Sequence, residues 1–531
     1  MNYKYYLSVS KLKKAEDYSK KLKHILFKKI IGPLNTIHNV DYTEKKLCII
    51  IFPWMSRFVD NFVHYNILKK KLNSEDIKSN NSTNYISLNY NSFNLSTVDF
   101  YGDYSKIYLN NFLKSELNKN LKTAKIFNPI KIKNSIINKV INFYNSLVVY
   151  LPHFYTDIYS KKLMIKLIIK FRSLPVLLTY QPEIHSSNNK IQIDLRKKFY
   201  NLISHSLKDQ ELKRISRFLV HQIPLSYMEN FRKYTDFAEK KSFNKTVFFL
   251  FSYSTNDIVK FFLSSYLKTK KKIIIYQHGG GYSNLRYYDE EEYNFKISDL
   301  FLIWSKSKNK KAKQVPCQFF IPKNNKKLKK YEIVIINAAF PIFHRYNFPL
   351  IGDKILNSLS QQFKFIKSLK NNSRKRLSVR FADHHRPVVI SATRAYKKAN
   401  LNIKEIKLGS YKNFIGNSNL VVHTYFSTTF FQSIVNDIPT ILLIKKNSYL
   451  FNTKFNIILN KLYKNKILHY SASSAADHVD KIYPNIDLWW KKKEVIKVKN
   501  ELKNKYGYTN NNWGNEWAET IYDKINNKNR Y

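Results

Sequence analysis

From Tyr331 to Ile444 short apolar runs alternate with helix-length segments, and this rhythm constrains the fold more than any other feature. Strands are predicted at 332–337, 377–381, near 404–408, 419–423 and 439–444, with helices between them at 352–370, 388–399, 411–416 and 428–436. Strands that alternate with helices build a parallel sheet covered on both faces. A weaker version begins near residue 245, with strands at 246–251, 272–276 and 297–304 and a helix at 255–268. Before it the chain reads as helical, over 1–70, 103–120, 136–150, 160–172 and 192–218. Asn73 to Ser96, rich in Asn and Ser, reads as a surface loop.

The expected fold is α/β, with two Rossmann-like halves making a cleft and an N-terminal half rich in added helices. A length of 531 residues suits two or three domains. The basic stretch Lys306 to Lys313 is a plausible crossing between them. The expected boundaries are 1–305, 306–490 and 491–531, the last a run of closing helices. In open α/β sheets ligands sit beyond the carboxyl ends of the strands, so functional residues should follow strands.

The formal charge of +55 suggests a nucleic-acid binder, but its make-up does not. Lysine dominates, with fourteen arginines in the chain, and the enriched residue types share A/T-rich codons. Genome bias therefore accounts for much of the basicity. No nucleic-acid module is recognisable, so no specific nucleic-acid partner is expected. The remaining field favours anionic ligands. Cys48 and Cys317 give neither a disulfide framework nor zinc spacing. No signal-peptide core follows Met1, and no apolar stretch nears the ~18 residues of a spanning helix. A cytoplasmic location is expected, with peripheral association at an anionic membrane through Lys161 to Arg172 as one option and a core helix with snorkelling lysines as the other.

Three constellations follow strands. Ten glycines serve the whole chain, yet Gly279, Gly280 and Gly281 stand together after the strand Lys272 to Tyr276, preceded by Gln277 and His278. Glycine lets a backbone or ligand approach closely, and a neutral imidazole at such an exit can take a proton from an attacking hydroxyl. A tight turn with an unreactive histidine is the plainer reading. Among Asp289, Glu290, Glu291 and Glu292, one can orient the imidazole or bind an ion, or the run is simply a solvated loop. Second, Arg374, Arg376, Arg380, Arg386 and Arg394 cluster around a strand end, with His384 and His385 among them. Arginine's planar fork matches phosphate or carboxylate geometry, so Arg380, Arg386 and His384 are candidate anion ligands, against surface charge and helix pairing. A metal at the paired histidines lacks a second ligand set. Third, the strand ending at His423 and Thr424 runs into Ser427, Thr428 and Thr429, then a helix containing Gln432. Hydroxyls at a helix start either cap it or seat a phosphate.

These residues carry a resemblance. The chain resembles a bacterial family of surface-carbohydrate transferases found among genes for O-antigen and nonulosonate glycans. The match runs through Leu34-Asn35, His38 and Pro53-Trp54, then Ile223-Pro224 with Tyr227-Met228-Glu229, then Gln277 to Tyr282. It continues through Ile297-Ser298-Asp299 with Trp304, Thr424 with Ser427-Thr428-Thr429, Ile438-Pro439-Thr440, Ala475-Ala476 and Trp489-Trp490. Gln432 departs from the pattern, standing where Thr-Thr-x-x-Glu has a glutamate. More distantly the His-Gly loop is similar to an element of teichoic-acid glycerophosphotransferases.

The resemblance implies a GT-B architecture and transfer of a sugar from a nucleotide-activated donor to a glycan or lipid-linked acceptor. His278 would be the general base. Gln277, Gly279, Gly280 and Gly281 would shape the acceptor side. Arg380, His384, Arg386, His423, Thr424, Ser427, Thr428, Thr429 and Gln432 would hold the donor. The alternatives are alditol-phosphate transfer from a CDP-alcohol in the same cleft, and a non-catalytic protein that binds nucleic acid or membrane. No cofactor is implied, and a divalent cation is neither required nor excluded.

Overall fold

The computed structural model describes residues 9–69, 140, 143–144, 147–148, 153–156, 161–177, 192–240, 247–250, 257–267, 272–319, 330–338, 353–381, 392–406 and 415–526. In chain order the first half carries β1 (His153–Thr156), β2 (Leu174–Leu177), β3 (Val247–Leu250), β4 (Lys272–Tyr276), β5 (Gly280–Ser283), β6 (Leu300–Ile303) and β7 (Ala312–Gln314). The second half carries β8 (Tyr331–Ile336), β9 (Leu377–Arg380), β10 (Lys404–Glu405), β11 (Ser418–His423), β12 (Thr440–Leu443) and β13 (Leu468–His469).

Two six-stranded sheets result, ordered β2-β1-β3-β4-β6-β7 and β10-β9-β8-β11-β12-β13. All their pairings are parallel. Counted from its own first strand, the second sheet has the order 3-2-1-4-5-6 of a doubly wound fold, and its order reverses between β8 and β11. The register there sets Val421 opposite Val334 and His423 opposite Ile336. These are two Rossmann-like units in a GT-B-like arrangement. Their carboxyl strand ends come together where β4 and β11 run out.

Strand burial on both faces explains why these runs are apolar throughout. Along β4, Ile273 and Ile275 enter a core built with α1 (Val9–His38), α2 (Glu44–Lys69) and the helices between 193 and 266. Ile274 and Tyr276 point the other way, to Leu163 and Leu167 of helix Lys161–Phe171 and to Trp513 and Trp517 of helix Trp513–Asn526. The last helix thus lies on the first sheet, whereas Val495, Val498 and Leu502 of helix Lys493–Tyr506 belong to the second unit's core. In that unit Ile333, Ile335, Leu420 and Val422 are fully buried. Each such side chain contributes about 1.5–3 kcal/mol of burial.

Several sequence expectations need correcting. The helix expected over 192–218 is two, Ile193–His205 and Gln210–Gln222, because Asp209 caps the second by accepting from the Leu212 N–H at 2.9 Å. The strand expected at 297–304 shortens to β6, since the acidic run forms helix Asp289–Ile297 rather than a loop. Lys306 to Lys313 leads into β7, which pairs with β6, so the first unit extends beyond residue 305 to at least Gln314. The expected elements at 103–120 and Asn73 to Ser96 lie outside the described residues, as does most of 411–416. Helix Lys161–Phe171 buries Leu163 and Leu167 while Ile165 and Ile169 stay exposed. Among the described residues no helix is long and apolar enough to cross a membrane.

Candidate functional site

At the exit of β4, Gln277 extends the pairing to β6 by one residue: its backbone N–H donates to the Leu302 carbonyl at 2.8 Å. The side chain completes a latch. Its Oε1 accepts from the Trp304 N–H at 2.9 Å and its Nε2 donates to the Gly279 carbonyl at 2.7 Å. Gln277 is therefore a buried brace of the loop, with both ends of its amide bonded within the protein. The brace turns the chain outward at His278, whose side chain is 34% exposed.

The three glycines have a definite reason. A Cβ on Gly279 would lie 2.5 Å from Thr428 Oγ1, and one on Gly280 would lie 2.7 Å from a Phe431 ring carbon and 3.0 Å from the Ser427 carbonyl carbon. Gly281 has φ of +132°, which L side chains rarely adopt. The close approach expected of a ligand is made instead by the second unit's helix Thr428–Val435. The Gly280 N–H is already taken, donating to Thr428 Oγ1 at 3.0 Å. Beside it the Arg286 N–H donates to the Leu450 carbonyl, and Asn452 Nδ2 to the Ser283 carbonyl, each at 2.8 Å. The imidazole loop and the hydroxyl-rich helix start are thus in direct contact.

Around His278, Nδ1 lies 3.0 Å from Tyr282 Oη and 3.6 Å from Glu290 Oε1. Tyr288 Oη donates to the other oxygen of Glu290 at 3.1 Å. The acidic helix has a separate task for each carboxylate. Glu291 accepts from the Ser283 N–H at 2.8 Å and the Ser283 hydroxyl at 3.1 Å; Glu292 pairs with Lys20 of α1. Asp289 takes Lys23 of α1 and the Ser56 hydroxyl of α2. Burial pushes the Asp289 carboxyl up, but Lys23 and Ser56 outweigh it and hold it below the ordinary range. Sequence reasoning could name four acids here without choosing among them; the helix geometry selects Glu290.

On the facing side, Thr424 donates its hydroxyl to the Ile336 carbonyl at 2.8 Å, tying the end of β11 to β8. Phe426 anchors the turn among Phe430, Phe431, Tyr449, Phe451 and Phe455. Ser427 is extended and makes no side-chain cap to the helix; its Oγ sits 2.8 Å from Thr429 Oγ1. Thr429 Oγ1 is 3.3 Å from His423 Nδ1, and His423 Nε2 is 2.9 Å from Ser433 Oγ. Ser433 donates to the Thr429 carbonyl at 3.1 Å.

Burial lowers the His423 pKa to about 3, so the ring is neutral and has one N–H. Ser433 stands at Nε2, and Thr429, itself bonded to Ser427, stands at Nδ1, so one of the two hydroxyls accepts the ring's N–H and the other donates to its bare nitrogen. His423 is fully enclosed and braces this hydroxyl chain. Gln432 is likewise buried, one turn into the helix. Arg380 ends β9, half-buried, with one guanidinium N–H donating to the Phe381 carbonyl at 2.6 Å. His384 and Arg386 lie outside the described residues.

A crevice opens at the carboxyl end of the second sheet, next to the reversal between β8 and β11. Asn357 and Gln361 of helix Asp353–Ser368 line it, with Thr424, Leu443, Lys445 and Tyr449. Gln361 Oε1 is a buried acceptor without a partner. Sequence reading missed Asn357, Gln361 and Lys445, whose one signal is topological: they sit on the helix after β8 and the turn after β12. Among the described residues no group of three or more His, Cys, Asp or Glu side chains could hold a metal ion.

Two parallel doubly wound units, joined at a half-exposed histidine loop and a hydroxyl-bearing helix start, define a two-domain α/β protein built around ligands at its strand ends. The family model described as LIC12162 family transferase matches residues 4–521, and the chain belongs to that family of transferases. No curated protein matches the chain. Solved structures similar to it include UDP-forming trehalose-phosphate synthases from two Burkholderia species. The one from Burkholderia vietnamiensis is 8% identical over 70% of this chain and 98% of its own, with a TM-score of 0.36. The one from Burkholderia xenovorans is 10% identical over 71% and 98%, with a TM-score of 0.35. TarM is also similar, 11% identical over 56% of this chain and 54% of its own, with a TM-score of 0.28.

Proposed function

We propose that this transferase moves a sugar from a nucleotide-activated donor to a hydroxyl of a surface glycan or lipid-linked acceptor, in O-antigen-type synthesis at the cytoplasmic side of the membrane. The acceptor O–H bond breaks as its proton passes to His278. The acceptor oxygen forms the new bond to the sugar's anomeric carbon, and the bond from that carbon to the donor phosphate breaks, releasing the nucleotide. Arg380, at the end of β9, is assigned to the donor phosphates, as are His384 and Arg386 by sequence, and Ser427 and Thr429 complete the seat. Thr428 serves the joint between units. The crevice between helix Asp353–Ser368 and β12 receives the nucleoside.

One observation carries this reading: the loop bearing His278 is in contact with the start of helix Thr428–Val435 through Gly280 and Thr428. A base and an anion-seating helix end are then held within one substrate's reach. The test is calorimetric titration with UDP-, GDP-, CMP- and dTDP-sugars and with CDP-glycerol, followed by turnover assays. A sugar nucleotide should bind, Ser427→Ala should weaken it several-fold, and His278→Ala should bind it normally with turnover lost. Binding of CDP-glycerol alone would reassign the donor to an alditol phosphate. Full turnover by His278→Ala would refute the base.

A further inference from the structure

We propose that Glu290 selects the tautomer of His278 and thereby makes Nε2 the basic nitrogen; this rests on His278 acting in transfer as described above. A neutral imidazole carries one N–H, on either nitrogen, and the partner at each nitrogen decides which. Tyr282 Oη, 3.0 Å from Nδ1, leaves the choice undecided, because a phenol donates or accepts. An ionised carboxylate accepts only. Glu290 Oε1, 3.6 Å from the same nitrogen, is attracted to an N–H there and repelled by a lone pair.

Glu290 is also held against swinging away. Tyr288 donates to its second oxygen, and the neighbouring Glu291 is bonded to Ser283 of the glycine loop. Asp289 and Glu292 fix the same helix to Lys23 and Lys20 of α1. Nδ1 therefore keeps the proton and Nε2 presents its lone pair to the acceptor hydroxyl. Once Nε2 has taken the proton, the ring's positive charge faces Glu290, which stabilises it. Glu290 is a positioning residue: it acts on the substrate through the imidazole alone.

The measurement is long-range ¹H–¹⁵N correlation on protein labelled at histidine, with His278 assigned by the signal lost in His278→Ala. Wild type should show the Nδ1–H form. Glu290→Gln should raise the Nε2–H form to about half or more, since Tyr282 can then donate to Nδ1. It should also cut turnover about 10- to 100-fold with donor affinity unchanged. Tyr282→Phe should keep the Nδ1–H form, because the carboxylate remains. An Nε2–H ring in wild type, an unchanged ring in Glu290→Gln, or a flipped ring in Tyr282→Phe would each overturn the proposal. The Tyr282→Phe arm decides it even where Glu290→Gln fails to fold. The tautomer is read without turnover, so failure of the transfer reading shows separately, as activity retained in His278→Ala.

Discussion

Gly280→Ala isolates the packing of one unit against the other. The added Cβ would lie 2.7 Å and 3.0 Å from two Phe431 ring carbons and 3.0 Å from the Ser427 carbonyl carbon, against an ordinary carbon contact of about 3.5–4.0 Å. The Ser427 contact is backbone, so no rotamer change relieves it. Phe431 cannot step aside, because Phe426 and Phe430 meet it edge-to-face at 5.4 and 5.7 Å and Gly507 closes its far edge. Helix and loop must separate by roughly half an ångström or more, which strains the Gly280-to-Thr428 bond. Overpacking of this kind costs about 1–3 kcal/mol, or roughly 2–8 °C in melting temperature for a unit of this size. Gly280 has no positive φ, so alanine's backbone preference adds nothing. Thermal melting of Gly280→Ala, Phe431→Leu and the double variant reads the effect. The double variant should be more stable than the sum of the single losses, because leucine vacates the ring's space. Strict additivity, or a Gly280→Ala melt within 1 °C of wild type, would refute the contact.

Gln277→Leu should cost about 2–4 kcal/mol, because the Trp304 N–H and Gly279 carbonyl both lose their partner, while donor affinity in the folded protein is unchanged. Weaker donor binding at an unaltered melting temperature would restore Gln277 to the ligand. Burial also sets a pH dependence. It lowers His423 and His478 to about 3 and His38 and His469 to about 4, so between these values and about pH 6.5 unfolding takes up protons. Glu16, raised by burial to about 8, and Asp60, raised to about 6, stay protonated in the fold after the unfolded chain has ionised, and oppose this. The lowered histidines outnumber these raised carboxyls, so stability falls as the pH drops from about 6.5 toward 5. Melting temperatures that stay flat from pH 7 to 5 would contradict it. Glu16→Gln should melt higher than wild type at pH 8, where the native carboxyl still resists ionising.

The second sheet was legible because each of its strands is a buried apolar run followed by a helix, a pattern that depends only on local sequence. Lys306 to Lys313 misled because a polar, basic run ends in an edge strand, and edge strands need no apolar face. The acidic run misled for another reason. Asp289 to Glu292 look solvated, but their partners Lys20, Lys23 and Ser56 lie more than two hundred residues earlier. Pairing over that distance leaves no mark on local composition. At the site, strand ends located His278, Ser427 and Thr429, while the same rule swept in Gln277 and His423. Both stand at strand ends yet face inward, and only the sheet's register decides which way a side chain there points.

The joint between the units explains why a chain so poor in glycine places three together beside His278. Two-domain enzymes close by turning one unit against the other about a few residues. If the base lay far from that pivot, each closure would have to reset its distance to the donor seat. Catalytic groups tolerate only about 0.5 Å of error. Here the loop of residues 279–286 is bonded to Thr428, Leu450 and Asn452, and the returning chain ties the same side through Tyr508 N–H to Trp304 and Lys306 N–H to Lys505. Rotation about such a joint moves the outer rims most and the residues at the joint least. His278 and Ser427 therefore keep their spacing whatever the rims do. That spacing requires helix and loop backbones to touch, and a side chain at position 279 or 280 would hold them apart.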